Sequence, residues 1–218
     1  QAKLNGAVVK RLNLMTTGIP ESSLHQKLDI DFMEKHVKVA FLPNLSGVKI
    51  RLMALADNED VAEDKLKTAR EHVESRVKEY VYADTEMRLE EAIAGLLDEK
   101  SKTVATAESC TGGLVANKLT NIAGSSNWFE RGVVSYSNQA KMQLLNVPED
   151  LINEHGAVSE PVAKAMAEGM RKSAGSDYAI SITGIAGPSG GTPDKPVGLT
   201  FVAVADAEGT LVEQHNFA

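Results

Sequence analysis

The sequence predicts an α/β protein in two parts: a small α+β domain over residues 1–84 and a three-layer α/β/α domain over 85–218. Three observations carry this. Residues 85–205 alternate helix-period and strand-like stretches, the pattern of helices laid on both faces of a largely parallel sheet. Residues 1–84 instead run strand, helix, strand, strand, helix. A chain of 218 residues with 43% hydrophobic content is long enough for two small packed cores.

Taken in order, residues 11–16 alternate like a half-buried strand, and Gly18-Ile19-Pro20 turns the chain into a helix over 21–36. Strands follow at 37–42 and 48–55, joined by the turn-forming Pro43-Asn44-Leu45-Ser46-Gly47. A helix over 58–80 carries Leu66, Ala69, Val73, Val77 and Tyr80 at steps of three and four, one apolar stripe. The domain boundary falls near Tyr82-Ala83-Asp84, ahead of a helix over 85–100 with Leu89, Ile93, Leu96 and Leu97 inward. Beyond it come strand 104–107, helix 112–122, strand 132–136 and a short helix over 139–145. Ser159 caps a long helix with Pro161 in its first turn. Strand 178–183 leads into a glycine-rich loop, and 199–205 is the last strand.

Charge is uneven. Residues 1–85 hold 13 of the 23 Lys+Arg and 13 of the 30 Asp+Glu, so the net charge of −7 belongs to the rest. That balance argues against a broad basic face for nucleic acid. No apolar run approaches the ~18–20 residues of a membrane span; mean hydropathy is −0.18, and the opening residues do not read as a secretory signal. The lone Cys110 forms no internal disulfide, as expected in a reducing, cytoplasmic setting. No His, Cys, Asp or Glu cluster has metal-ligand spacing, so no metal or cofactor is expected. The chain opens on Gln1 rather than Met, as a fragment or a processed chain does.

Three strand ends carry unusual chemistry, and in open α/β sheets sites form beyond the carboxyl ends of strands. The first is Glu108-Ser109-Cys110-Thr111-Gly112-Gly113, where a strand hands over to a helix. Helix starts have unpaired N–H groups and a positive dipole end, and the two glycines let backbone donors approach a ligand. A nucleophilic Ser109 facing an oxyanion site fits this place, and so does a plain helix cap by Ser109 or Thr111. The second is Ser135-Tyr136-Ser137-Asn138-Gln139-Ala140-Lys141. Lys141 can act as a general base only if burial lowers its pKa; otherwise it is an exposed lysine near a helix start. The third, Thr183-Gly184-Ile185-Ala186-Gly187-Pro188-Ser189-Gly190-Gly191-Thr192, is neither a Walker A loop nor a dinucleotide fingerprint. It reads either as a backbone cradle for a small substrate or as a mobile turn.

At these three motifs, with Gly156-Ala157-Val158-Ser159-Glu160-Pro161-Val162-Ala163 besides, the sequence resembles the CinA carboxy-terminal domain family. The resemblance covers about residues 86–217. Residues 10–84, with Gly18-Ile19-Pro20-Glu21-Ser22, resemble the KH-type middle domain of full-length CinA proteins, without an RNA-clamping Gly-x-x-Gly loop. The resemblance implies nicotinamide mononucleotide deamidase activity in the second domain: an amidohydrolase yielding nicotinic acid mononucleotide and ammonia, without cofactor. It makes Ser109 the nucleophile, Lys141 its general base and Tyr136 an assisting residue. It places Thr111, Gly112, Gly113, Asn138, Thr183, Gly184, Ala186 and Gly187 around the substrate. It further implies a cytoplasmic homodimer or larger homo-oligomer, with no nucleic-acid or membrane partner.

Ser-Lys pairs are a known variant of the serine triad, and only His155 and His215 of the second domain are available for a histidine-based alternative. Family members continue past Phe217 into a Gly-Asp-Arg stretch and a last helix. The chain ending at Ala218 is therefore expected to be cut short and to lack an arginine for the substrate's phosphate. The alternative reading is a module that binds nucleotides, or a competence-related partner, without turnover.

Overall fold

The computed structural model describes residues 2–4 and 7–217. The chain divides into two compact units, residues 1–92 and 93–218. The division falls inside a helix, several residues beyond the boundary expected near Asp84.

The first unit is α+β. Strands β1 (Ala2–Leu4), β2 (Ala7–Thr16), β3 (Lys38–Asn44) and β4 (Gly47–Ala56) form an antiparallel sheet in the order β1-β2-β4-β3. A short β5 (Val81–Ala83) pairs with β2. Alternation decides which face is covered. Val48, Ile50, Leu52, Ala54 and Ala56 of β4 are buried and share a core with Ala62, Leu66, Ala69, Val73 and Val77 of α3 (Glu59–Val77), every third or fourth residue of the helix. The Asn58 side chain caps α3 by accepting from the Val61 N–H at 2.9 Å. The helix expected over 21–36 is two helices, α1 (Glu21–Lys27) and α2 (Ile30–Glu34). Leu28 and Asp29 between them are extended. Asp29 Oδ1 accepts from the Phe32 N–H at 2.9 Å, so a side-chain cap restarts the helix where one continuous rod was expected.

In the second unit, β6 (Val104–Glu108), β7 (Phe129–Val134), β8 (Tyr178–Gly184), β9 (Leu199–Ala205) and β10 (Thr210–Asn216) form a sheet in the order β10-β9-β8-β6-β7. Its helices are α4 (Leu89–Glu99), in which the division falls, α5 (Leu114–Thr120), α6 (Asn138–Leu145), α7 (Glu149–His155) and α8 (Glu160–Ala174). On one face Leu145, Ile152, Val162, Met166 and Met170 pack with Ala105, Ala107 and Ala179. Ala163 and Ala167 of α8 meet Leu199, Phe201, Ala203 and Ala205. On the other face Ala94, Leu97 and Leu119 pack with Val104 and Trp128. These are the three layers expected.

The largely parallel sheet is a correction. Strand β6 is parallel to β7 and β8, but β8–β9 and β9–β10 are antiparallel. The β8–β9 connection contains no helix, and a parallel return would need a long crossover. Strand 199–205 is not the last: the Asp206 carboxylate accepts from the Glu208 and Gly209 N–H groups at 2.8 and 3.0 Å and turns the chain back into β10.

Candidate active site

The carboxyl ends of β6, β7 and β8, the parallel strands, bring the first two loops together over one buried pair. Ser109 follows β6 and is 8% exposed; its N–H donates to Ile182 O of β8 at 2.9 Å. Lys141 sits in the first turn of α6, whose start is fixed by Ser137 Oγ accepting from the Ala140 N–H at 3.0 Å. Its side chain reaches back so that Nζ lies 3.0 Å from Ser109 Oγ.

Lys141 is 1% exposed and has no carboxylate partner among the described residues. Besides Ser109 Oγ, its Nζ meets Ser135 O at 2.7 Å and Tyr136 O at 3.4 Å. Burial pushes its pKa below the ordinary lysine value of 10.5, and the nearby Cys110 acts the other way. Three oxygens surround Nζ. As an ammonium, Nζ can donate to all three oxygens; as the neutral amine, it can donate to the two carbonyls and accept from the Ser109 hydroxyl.

The expected helix cap is there, but neither Ser109 nor Thr111 makes it. Glu108, buried at 1% exposure, accepts from Gly113 N–H at 3.2 Å, Val115 N–H at 3.0 Å and Ala116 N–H at 2.8 Å. The start of α5 is therefore filled by the protein's own carboxylate, not open to an anion. Gly112 and Gly113 adopt left-handed backbone, φ 61° and 98°, which lets the chain double back onto Glu108. The Gly112 N–H donates to Ser109 O at 3.1 Å. That leaves the N–H groups of Cys110 and Thr111 without an oxygen acceptor among the described residues. Both face the Cys110 sulfur and oppose burial, which pushes the thiol up. Thr111 Oγ1 is buried without a partner among the described residues.

The remaining predicted residues fall at different depths. The Tyr136 side chain is 74% exposed, and its phenol has no hydrogen-bond partner among the described residues; only its carbonyl reaches Lys141. Asn138 opens α6 and is exposed. The Thr183 hydroxyl is committed to Ala157 O at 2.9 Å, so it ties β8 to the α7–α8 connection. Gly184 ends β8, and a Cβ there would lie 2.9 Å from Leu199 O and 3.1 Å from Cys110 Sγ, so only glycine lets the third loop approach the first this closely. That loop walls a largely apolar cavity of about 520 Å³, lined by Ile185, Ala186, Val197 and Phe217 with Cys110 and Thr111 opposite. Ser109 and Lys141 adjoin that lining through Cys110 without being part of it. Gly187 lies further along the same loop.

His155 and His215 stand beside Glu154 and Glu213, and neither hydrogen-bonds Ser109. Among the described residues no group of three or more His, Cys, Asp or Glu side chains is placed to hold a metal ion, and no helix is long and apolar enough to cross a membrane. Glu108 was the functional residue hidden from sequence reasoning. Its one available signal was the strand alternation that puts it on the same face as Val104, toward α5.

Fold and site together define a two-unit mixed α/β protein whose second unit holds a buried serine–lysine pair at the carboxyl ends of parallel strands. Residues 86–218 match the CinA C-terminal domain and residues 11–83 the KH domain of damage-inducible protein CinA. The chain belongs to the CinA family. It is 45% identical over 202 residues to a CinA-like protein of Syntrophus aciditrophicus, covering 92% of this chain and 48% of that one. It is 43% identical over 201 residues to a putative competence-damage inducible protein of Caldicellulosiruptor bescii, with the same coverages. The chain thus spans about half the length of the curated relatives it matches. Among solved structures it is similar to the competence/damage inducible protein CihA of Agrobacterium tumefaciens, at 41% identity and TM-score 0.59 over 60% of this chain and 79% of that one. It is also similar to the competence damage-inducible protein A (ComA) of Klebsiella pneumoniae, at 35% identity and TM-score 0.58 over 60% and 81%.

Proposed function

We propose that the second unit is an amidohydrolase that converts nicotinamide mononucleotide to nicotinic acid mononucleotide and ammonia. The observation that carries this is the buried Lys141 Nζ, 3.0 Å from Ser109 Oγ and unpaired with any carboxylate among the described residues. Amide hydrolysis by a hydroxyl needs an activated nucleophile, a base and donors for the oxyanion.

Ser109 Oγ attacks the carboxamide carbon as its proton passes to Lys141 Nζ. The carbonyl oxygen becomes an oxyanion, for which the N–H groups of Cys110 and Thr111, with no oxygen acceptor among the described residues, are the available donors. Collapse of the tetrahedral intermediate breaks the C–N bond, and Lys141 returns its proton to the departing ammonia. Water, deprotonated by Lys141, then cleaves the acyl-serine to give the acid and restore Ser109. While Lys141 holds the extra proton, the Ser135 and Tyr136 carbonyls accept from it, which offsets the cost of a buried ammonium. The exposed phenol of Tyr136 is free to meet bound substrate. In this reading the protein needs no cofactor, works in the cytoplasm, and assembles as a homodimer or larger.

The test is ammonia and nicotinic acid mononucleotide release from nicotinamide mononucleotide, with Ser109→Ala beside the unaltered protein. The expected result is stoichiometric release lost in the variant with the fold unchanged. Turnover retained by Ser109→Ala would rule out the Ser–Lys mechanism. Tight nucleotide binding with no ammonia from either would favour a binding module.

A further inference from the structure

The glycine-rich third loop leaves the sheet at Ile185 and returns at Gly198. Its stem is laced by Ile185 N–H to Leu199 O at 2.9 Å and Gly198 N–H to Ile185 O at 2.8 Å. Between these, over residues 186–196, the loop's own bonds are few. The Thr192 N–H donates to Lys195 O at 2.8 Å and the Lys195 N–H to Thr192 Oγ1 at 3.0 Å, a local turn. One side chain in that stretch hydrogen-bonds outside the loop. Lys195 Nζ donates to His155 O at 2.6 Å and to Val158 O at 2.8 Å.

Those acceptors sit at a definite place. His155 is the last residue of α7 and Val158 directly precedes Ser159, the cap residue of α8. A cation at the carbonyl end of a helix is favoured by the dipole, and among the described residues no carboxylate competes for Lys195. The same connection is held from its other side by Thr183 Oγ1 donating to Ala157 O at 2.9 Å. The base and the returning arm of the third loop are thus fastened to one short segment, the base by Thr183 and the arm by Lys195. The residue after Pro196, Val197, lines the apolar cavity that reaches Cys110, so the position of that wall depends on the tether.

We propose that Lys195 is a positioning residue that fastens the glycine-rich loop to the α7–α8 connection and so sets the wall of the substrate cavity. This rests on the deamidase reading for its catalytic consequence but not for its structural one. Lys195 touches no reacting atom; it acts on how well substrate is held. Lys141 and Ser109 are positioned by β6, β7 and α6, so the chemical step survives loss of the tether.

The test uses Lys195→Met and Lys195→Arg in the full chain, with two readouts. Hydrogen exchange followed by mass spectrometry reads the loop without any substrate. Lys195→Met is expected to speed exchange across 186–194 at least tenfold while β6 stays protected, and Lys195→Arg to recover most of that protection. On nicotinamide mononucleotide, Lys195→Met is expected to raise KM about tenfold or more with kcat within threefold, and the arginine variant to recover KM. Unchanged loop exchange in Lys195→Met overturns the tether, whether or not the protein turns over. Faster exchange with unchanged KM, or a collapse of kcat at constant KM, overturns the positioning role. If neither variant nor the unaltered chain releases ammonia, the deamidase reading fails and the exchange result alone decides the tether.

Discussion

Replacing Glu108 with glutamine isolates the carboxylate that holds the Ser109–Gly113 turn. Its Oε2 accepts from Gly113 and Val115, and its Oε1 from Ala116. Glutamine keeps one acceptor oxygen. If that oxygen takes the Oε2 place, the amide NH₂ faces the Ala116 N–H, donor against donor. One charge-assisted bond, worth about 1.5–3 kcal/mol, is lost, and the other two become neutral bonds of about 0.5–1.5 kcal/mol. Glutamine is also cheaper to bury than a carboxylate, which returns part of the loss, so the net cost is about 2–4 kcal/mol. With a urea dependence of about 2 kcal/mol per molar, the unfolding midpoint should fall by ~1–2 M. The reporter is built in. Trp128 is the single tryptophan, 1% exposed and packed in the layer that contains α5, so its fluorescence follows the second unit alone. Because Ser109 adjoins Glu108, turnover should fall with stability. A midpoint within about 0.3 M of the unaltered protein would show that the three contacts do not hold the turn.

Four further outcomes follow from the same geometry. Lys141→Arg keeps the charge but cannot deprotonate, so kcat/KM should drop by ~10²–10⁴, the usual worth of a general base. In the unaltered protein kcat/KM should rise through a limb below pH 10.5, because burial lowers the Lys141 pKa. An arginine variant that still turns over would reduce Lys141 to a charge-placing role. Cys110→Ala should leave turnover within a few-fold; its loss with Ser109 intact would point to thiol chemistry. Asp177, bonded to Lys102 at 2.7 Å and to the Thr103 N–H at 2.9 Å, is lowered from 3.8 to about 2. Its folded pKa is depressed, so the stability it contributes is present above about pH 4 and is lost as pH falls toward 2. Asp177→Asn should flatten acid unfolding across that window, and an unchanged acid limb would count against the pairing.

The strand–helix alternation and the three site loops were legible because each rests on local chemistry: hydrophobic period, helix caps, glycine at strand ends. What escaped depends on contacts between distant segments or on very short elements. The seven residues of α7 and three of β5 give periodicity too little length to show. Strand β10 was missed because its residues are mostly exposed and polar, and its place is fixed by pairing with β9. The split between α1 and α2 is readable in Asp29, a standard cap residue, set inside the helix expected over 21–36. At the site, a lysine in the second loop could be paired with Ser109 only through the family resemblance. The distance between them comes from the order of β6 and β7 in the sheet. The capping carboxylate of Glu108 was hidden because a strand residue does work usually assigned to the residue just before a helix.

The antiparallel return from β8 to β9 has a consequence for how the cavity can change. Had the third loop been the crossover of a parallel pair, its length would be tied to a helix spanning the sheet. As a hairpin excursion closed by Ile185, Gly198 and Leu199, it can lengthen or shorten while the strands below keep their register. Doubling such a loop adds only about 0.6 kcal/mol of closure entropy. Ser109, Lys141 and their supports belong to other connections, so a change in this loop would reshape the cavity without moving the serine–lysine pair. The loop wall of the cavity is open to selection in a way the neighbouring Ser109–Lys141 pair is not.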